Sequence, residues 1–72
     1  MTETARLAWM AGRIAAAFDA LPEEQAAAAI AAHINQFWAA PMRRGLLAAD
    51  PAGLTPRVRR ALALVRPPRA PQ

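Results

Sequence analysis

Few residues in this 72-residue chain could do chemistry: one histidine (His33), five acids (Glu3, Asp19, Glu23, Glu24, Asp50) and three threonines, with no cysteine and no serine. A histidine acting as general base needs a nucleophile or a bound substrate within reach. Thr2, Thr4 and Thr55 serve better as helix caps. His33 lies beside Ile30, Ile34 and Phe37 in helical spacing, so it reads as a partly buried structural or interface residue. The absence of cysteine excludes disulfides, thiolate zinc sites and cysteine-ligated iron–sulfur clusters. One histidine cannot make a multi-histidine metal site, and the acids show no metal-ligand spacing. Glu23 and Glu24 are adjacent, so on a helix they point about 100° apart and suit the positive end of its dipole. The expectation is a chain without catalytic, cofactor-binding or metal-ligating residues of its own.

The remaining polar chemistry is arginine. All nine basic residues are arginine, and they are unevenly placed: residues 1–36 hold two against four acids, residues 37–72 hold seven against one. A basic half meets nucleic acid, a membrane surface or an acidic protein. Arg43, Arg44, Arg57, Arg59 and Arg60 could form a nucleic-acid patch, which makes a small arginine-rich regulator one reading. No helix-turn-helix glycine turn and no aromatic stacking platform accompanies them. Arginine without lysine suits geometric pairing with carboxylates on a protein, and a solvated charged face is the plain alternative.

The stretch "IAAHINQFWAAPMRR" at 30–44 gathers His33, Phe37, Trp38, Met42, Arg43 and Arg44. Tryptophan and arginine dominate protein-interface hot spots, so Trp38, Met42, Arg43 and Arg44, with His33, are candidate partner-binding residues. Phe37 and Trp38 are neighbours, and one helix cannot bury both in the same direction. Phe37 is expected in the core with Ile34, and Trp38 outward. Trp9 joins the candidates: it lies about 200° from Leu7 on a helix, among Ala5, Gly12, Ala16 and Ala20, where a surface helix would normally carry charge.

These residues must be held by helices. Leu7, Met10, Ile14, Phe18 and Leu21 mark one face of a first helix, capped by Thr2 or Thr4 and running to about Ala20. Pro22 opens a second, running to Trp38 or Ala39, with Ile30, His33, Ile34, Phe37 and Trp38 on one arc. The short turn between them predicts an antiparallel helical hairpin. Pro41 disfavours helix at Ala40 and starts a short third helix, weakened by Gly45. "DPAG" at 50–53 is a turn, and Thr55-Pro56 opens a last helix over 56–66 with Val58, Ala61, Leu62 and Val65 inward. The fold class is all-α: a single small helical domain over 1–66, with a disordered proline-rich tail at 67–72.

No secretory signal is expected, because Glu3 and Arg13 interrupt the N-terminal region. The uncharged run from Gln25 to Met42 has the length of a membrane span but contains Gln25, His33, Asn35 and Gln36. The expected location is the cytoplasm. So short a chain draws only about 3–5 kcal/mol from its core, which makes a partner a natural source of stability.

Several of these residues carry a resemblance to a known family. Met10-Ala11, Ile14, Phe18, His33-Ile34, Phe37-Trp38, Met42-Arg43, Leu46-Leu47 and Leu54-Thr55-Pro56-Arg57-Val58 resemble the outline of the small delta subunit of cytoplasmic, NAD-dependent, molybdenum- or tungsten-containing formate dehydrogenases. The resemblance covers residues 7 to 66. It departs between "FW" and "MR", where Ala39, Ala40 and Pro41 replace an acid, a proline and an arginine, and at Ala17, where relatives carry a second phenylalanine. The resemblance implies a cofactor-free accessory subunit that binds the large catalytic subunit and supports its assembly or stability. The partner complex would carry the molybdopterin-type cofactor, iron–sulfur clusters, FMN and NAD.

Overall fold

The computed structural model describes residues 2–69, and among them all regular structure is helical. The expected all-α fold is therefore observed. Helix α1 spans Glu3–Ala17, α2 Glu23–Phe37, α3 Ala40–Leu47 and α4 Pro56–Leu62, with a single 3-10 turn at Pro51–Gly53 before α4. Residues 67–69 have no regular secondary structure, and the end of the expected tail, residues 70–72, lies outside the described residues.

Local chemistry accounts for most of the boundaries. Thr2 caps α1, its hydroxyl accepting from the Ala5 N–H at 3.0 Å. The Glu3 carboxylate then accepts two hydrogen bonds from Arg6, at 2.8 and 3.1 Å. Those bonds hold the Glu3 carboxyl below its ordinary range and raise Arg6. Helix α2 starts directly after Pro22 with Glu23 and Glu24 in its first turn. Asp50 accepts from the Ala52 N–H at 3.0 Å and sets the turn expected at "DPAG". Thr55 accepts from the Val58 N–H and caps α4, with Pro56 in the first turn.

Three helix ends differ from the expected ones. Helix α1 stops at Ala17 rather than Ala20, because Phe18 leaves helical geometry at its cap. Helix α2 stops at Phe37, with Trp38 in an extended conformation (φ −90°, ψ 132°). The break thus falls at Trp38 and Ala39, and Ala40 is already helical with Pro41 in the first turn of α3. Helix α4 is shorter than expected and gives way to turns after Leu62.

The core is built largely from alanine. Leu7, Ile30, Ile34, Leu46 and Val58 are its fully buried large side chains, surrounded by buried Ala11, Ala15, Ala27, Ala31, Ala49 and Ala61. The inner face of α1 runs Leu7–Ala11–Ala15, while Met10, Ile14 and Phe18 pack at its edge. Helix α4 packs most extensively on α2, and α3 on α1. Gly45, which weakens α3 by propensity, faces α1 closely: a Cβ there would lie 2.6 Å from Leu7 Cδ1, so the buried Leu7 side chain would have to shift to admit it.

The aromatic pair at the end of α2 is arranged opposite to expectation. Trp38 is 6% exposed and belongs to the core, whereas Phe37 is 66% exposed. The helical phase that places Phe37 inward holds only while the helix continues. Phe37 is the last helical residue, and the extended backbone at Trp38 turns its indole back onto the core. Trp38→Ala should therefore cost about 3–5 kcal/mol and Ile34→Ala about 2–5 kcal/mol. Phe37→Ala should change stability by about 0.5 kcal/mol or less. Urea denaturation followed by circular dichroism measures all three.

Candidate protein-interaction surface

Two arginines fix the frame on which the candidate residues sit. Neither α1 nor α2 has a basic residue in its last turn, so their terminal carbonyls need partners from elsewhere. Arg57 of α4 donates to Phe18 O at 3.3 Å and to Leu21 O at 2.8 Å, covering the end of α1 and the turn beyond. Arg43 of α3 donates from Nη1 to Trp38 O at 2.8 Å and from Nε to Arg66 O at 3.0 Å. Asn35 completes the second junction. Its amide donates to Leu64 O at 3.0 Å and its carbonyl accepts from the Arg66 N–H at 2.8 Å. The segment after α4 is thereby strapped to α2 and α3, with Val65 buried beneath it.

Above this frame lies a shallow groove of about 360 Å³ lined by Trp9, Met10, Arg13 and Ile14 of α1, and by His33 and Trp38. It brings together three of the six candidate residues. Trp9 is 56% exposed, and the Arg13 guanidinium lies over its ring, 5.3 Å from the centroid. His33 is half-buried at the rim, its ring centroid 4.8 Å from that of Phe37 one turn along α2. Trp38 lines the groove from the core side.

The other three candidates are placed apart from it. Met42 is partly buried against the core. Arg43 is occupied by the two carbonyls just described. Arg44 is exposed and has no ion-pair partner among the described residues. Sequence reasoning missed Phe37 and Arg13 as surface features, and Asn35 and Arg57 as fasteners. The spacing of Trp9 and Arg13 by one helical turn was the available signal for that pair.

The basic half is not a uniform charged face. Of its arginines, Arg43 and Arg57 hold carbonyls, Arg59 reaches Pro51 O at 3.3 Å, and Arg60 pairs with Glu24. Among the described residues no group of three or more histidine, cysteine or acidic side chains could hold a metal ion. No helix there is long and apolar enough to cross a membrane.

The fold and surface define a small all-α domain whose exposed aromatics gather beside one groove. Residues 6–62 match the family model of the NADH-dependent formate dehydrogenase delta subunit, FdsD, and the chain belongs to that family. Its setting is thus a formate dehydrogenase complex with partner subunits. The matched span contains every residue of the groove, both fastening arginines and Asn35, and ends short of Leu64 and Arg66. No curated protein and no solved structure is detectably similar to the chain.

The different burial of the two neighbouring arginines leads to a direct comparison. Arg43→Ala should lose about 1–3 kcal/mol, because it strips charge-assisted donors from carbonyls at a part-buried junction. Arg44→Ala should stay within about 0.5 kcal/mol of the parent. Thermal melts of the two variants, read against wild type, measure the difference.

Proposed function

We propose that the chain is a non-catalytic accessory subunit that docks on the large catalytic subunit of an NADH-dependent formate dehydrogenase and supports its assembly or stability. The observation that carries this reading, beside family membership, is the pair of large aromatics, Trp9 and Phe37, left outside an otherwise filled core. Aromatic and arginine side chains are the residues through which protein interfaces draw most of their affinity. Trp9, His33 and Arg44 contact the partner directly. Trp38, Met42 and Arg43 lie beneath and set the shape of that surface. The molybdopterin-type cofactor, iron–sulfur clusters, FMN and NAD belong to the partner subunits, and the complex resides in the cytoplasm.

A small arginine-rich nucleic-acid-binding regulator is the less favoured reading. Four of the basic-half arginines already bond groups within the chain, and affinity for phosphates needs such cations free to displace counterions.

Affinity-tagged chain, co-expressed with the formate dehydrogenase subunits of the same genome, should retain the large catalytic subunit through purification. Trp9→Ala should weaken that retention by about thirtyfold or more, as truncation of a central interface tryptophan commonly does, while leaving helicity unchanged. Wild-type chain that retains no formate dehydrogenase subunit would overturn the proposal.

A further inference from the structure

The groove between α1 and α2 is rich in hydrogen-bond donors, which the docking role alone does not explain. Trp9, Arg13 and Trp38 are donor-only side chains, and all three line it; His33, the other polar residue there, can both donate and accept. None of the chain's five acids does. Met10 offers a weak acceptor, its sulfur, which already receives Arg6 Nη1 at 3.4 Å. The rest of the wall, from Met10 and Ile14 with the faces of the two indoles, is apolar.

Arg13 differs from the chain's other well-placed arginines. Arg6 and Arg60 are paired with carboxylates, and Arg43 and Arg57 with carbonyls. Arg13 makes neither kind of bond among the described residues, yet its guanidinium is held over the Trp9 ring. An arginine attracted to an aromatic face has part of its side-chain freedom already removed, and its planar fork of donors matches a carboxylate. The cation is therefore pre-positioned at an apolar groove with its donors unused.

We propose that this groove receives an acidic segment of the partner subunit, its carboxylate paired with Arg13 and an apolar side chain beside it seated between Trp9, Ile14 and Trp38. The inference rests on the accessory-subunit reading and deepens it by stating what the partner must present. Charge complementarity selects this occupant: the groove offers donors and positive charge, and a neutral or basic segment would leave both unmatched.

The test uses the full chain in complex with the formate dehydrogenase subunits. Arg13→Glu should weaken binding by about tenfold or more, from the lost pair and the new like-charge contact. Arg13→Lys should retain part of the affinity, having the charge without the fork. Arg69→Glu, an equal change of charge at an exposed position outside the groove, should bind as wild type does. A photo-crosslinker at exposed Ala17, one helical turn from Arg13, should capture a partner peptide containing Asp or Glu next to an apolar residue, and reversing that acid to Arg should restore binding to Arg13→Glu. The inference is overturned if wild type binds and Arg13→Glu binds equally, or if the crosslink joins two copies of this chain or reaches a segment without an acid. Circular dichroism of each variant separates loss of binding from loss of fold. Failure of wild type to bind any subunit counts instead against the accessory-subunit reading.

Discussion

The structure depends on how two helices end. Helices α1 and α2 each stop without a glycine and without a basic residue in the last turn, leaving carbonyls that the helix itself cannot satisfy. Arg57 of α4 reaches the C-cap carbonyl of α1, Phe18 O, and Leu21 O in the turn beyond, and Arg43 of α3 reaches the C-cap carbonyl of α2, Trp38 O. In each case the arginine and the carbonyl come from different elements: Arg57 lies 36 residues from Leu21, while Arg43 lies five from Trp38 and 23 from Arg66. The negative ends of the two longest helices are thus matched by cations, and the same bonds fix where the shorter helices lie.

Helical periodicity made the fold class and the number of helices legible, and cap chemistry gave the starts. Thr2, Pro22 and Thr55 each stand where a helix begins, because capping is decided by one residue and its near neighbours. The ends were less legible. Alanine carries no signal that a helix should stop, so the sequence predicts α1 to about Ala20. It ends where Phe18 leaves helical geometry, and the Phe18 carbonyl accepts from the Leu21 N–H and from Arg57 across the fold. The inner face of α1 was hidden for a related reason. Leu7, Met10, Ile14 and Phe18 outweigh alanine in any reading by side-chain size, yet the close approach of neighbouring helices buries Ala11 and Ala15.

The candidate surface was legible by region and not by residue. The 30–44 stretch does hold the junction of α2 and α3, but two of its residues exchange roles. Trp38 follows the last helical position, so its direction is set by an extended backbone rather than by helical phase. Phe37, freed from the core, stacks on His33 and adds a second aromatic to the side of the chain that carries Trp9. Arg43 and Arg44 are adjacent in sequence and unlike in environment, one bridging carbonyls and the other facing water. Only the position of Pro41 hints at this, since it sets where α3 begins and hence which arginine faces inward.

The absence of lysine has a structural side as well as a compositional one. Arg43 binds Trp38 O through Nη1 and Arg66 O through Nε, two atoms of one rigid plane acting on two separate segments. An ammonium concentrates its donors on a single nitrogen at the end of a flexible stem. It could satisfy the end of α2 or hold the segment after α4, and reaching both would bring two carbonyl oxygens close to one point. Arg6 uses two nitrogens on the Glu3 carboxylate in the same way. With a core of mostly small side chains, the fold relies on polar ties, and at Arg43 and Arg6 their geometry belongs to guanidinium, whereas Arg57 serves Phe18 O and Leu21 O from Nη1 alone. Arg13 carries the same fork over Trp9 with no acceptor for it among the described residues, and so the chemistry that fastens the fold elsewhere is left facing outward at the groove.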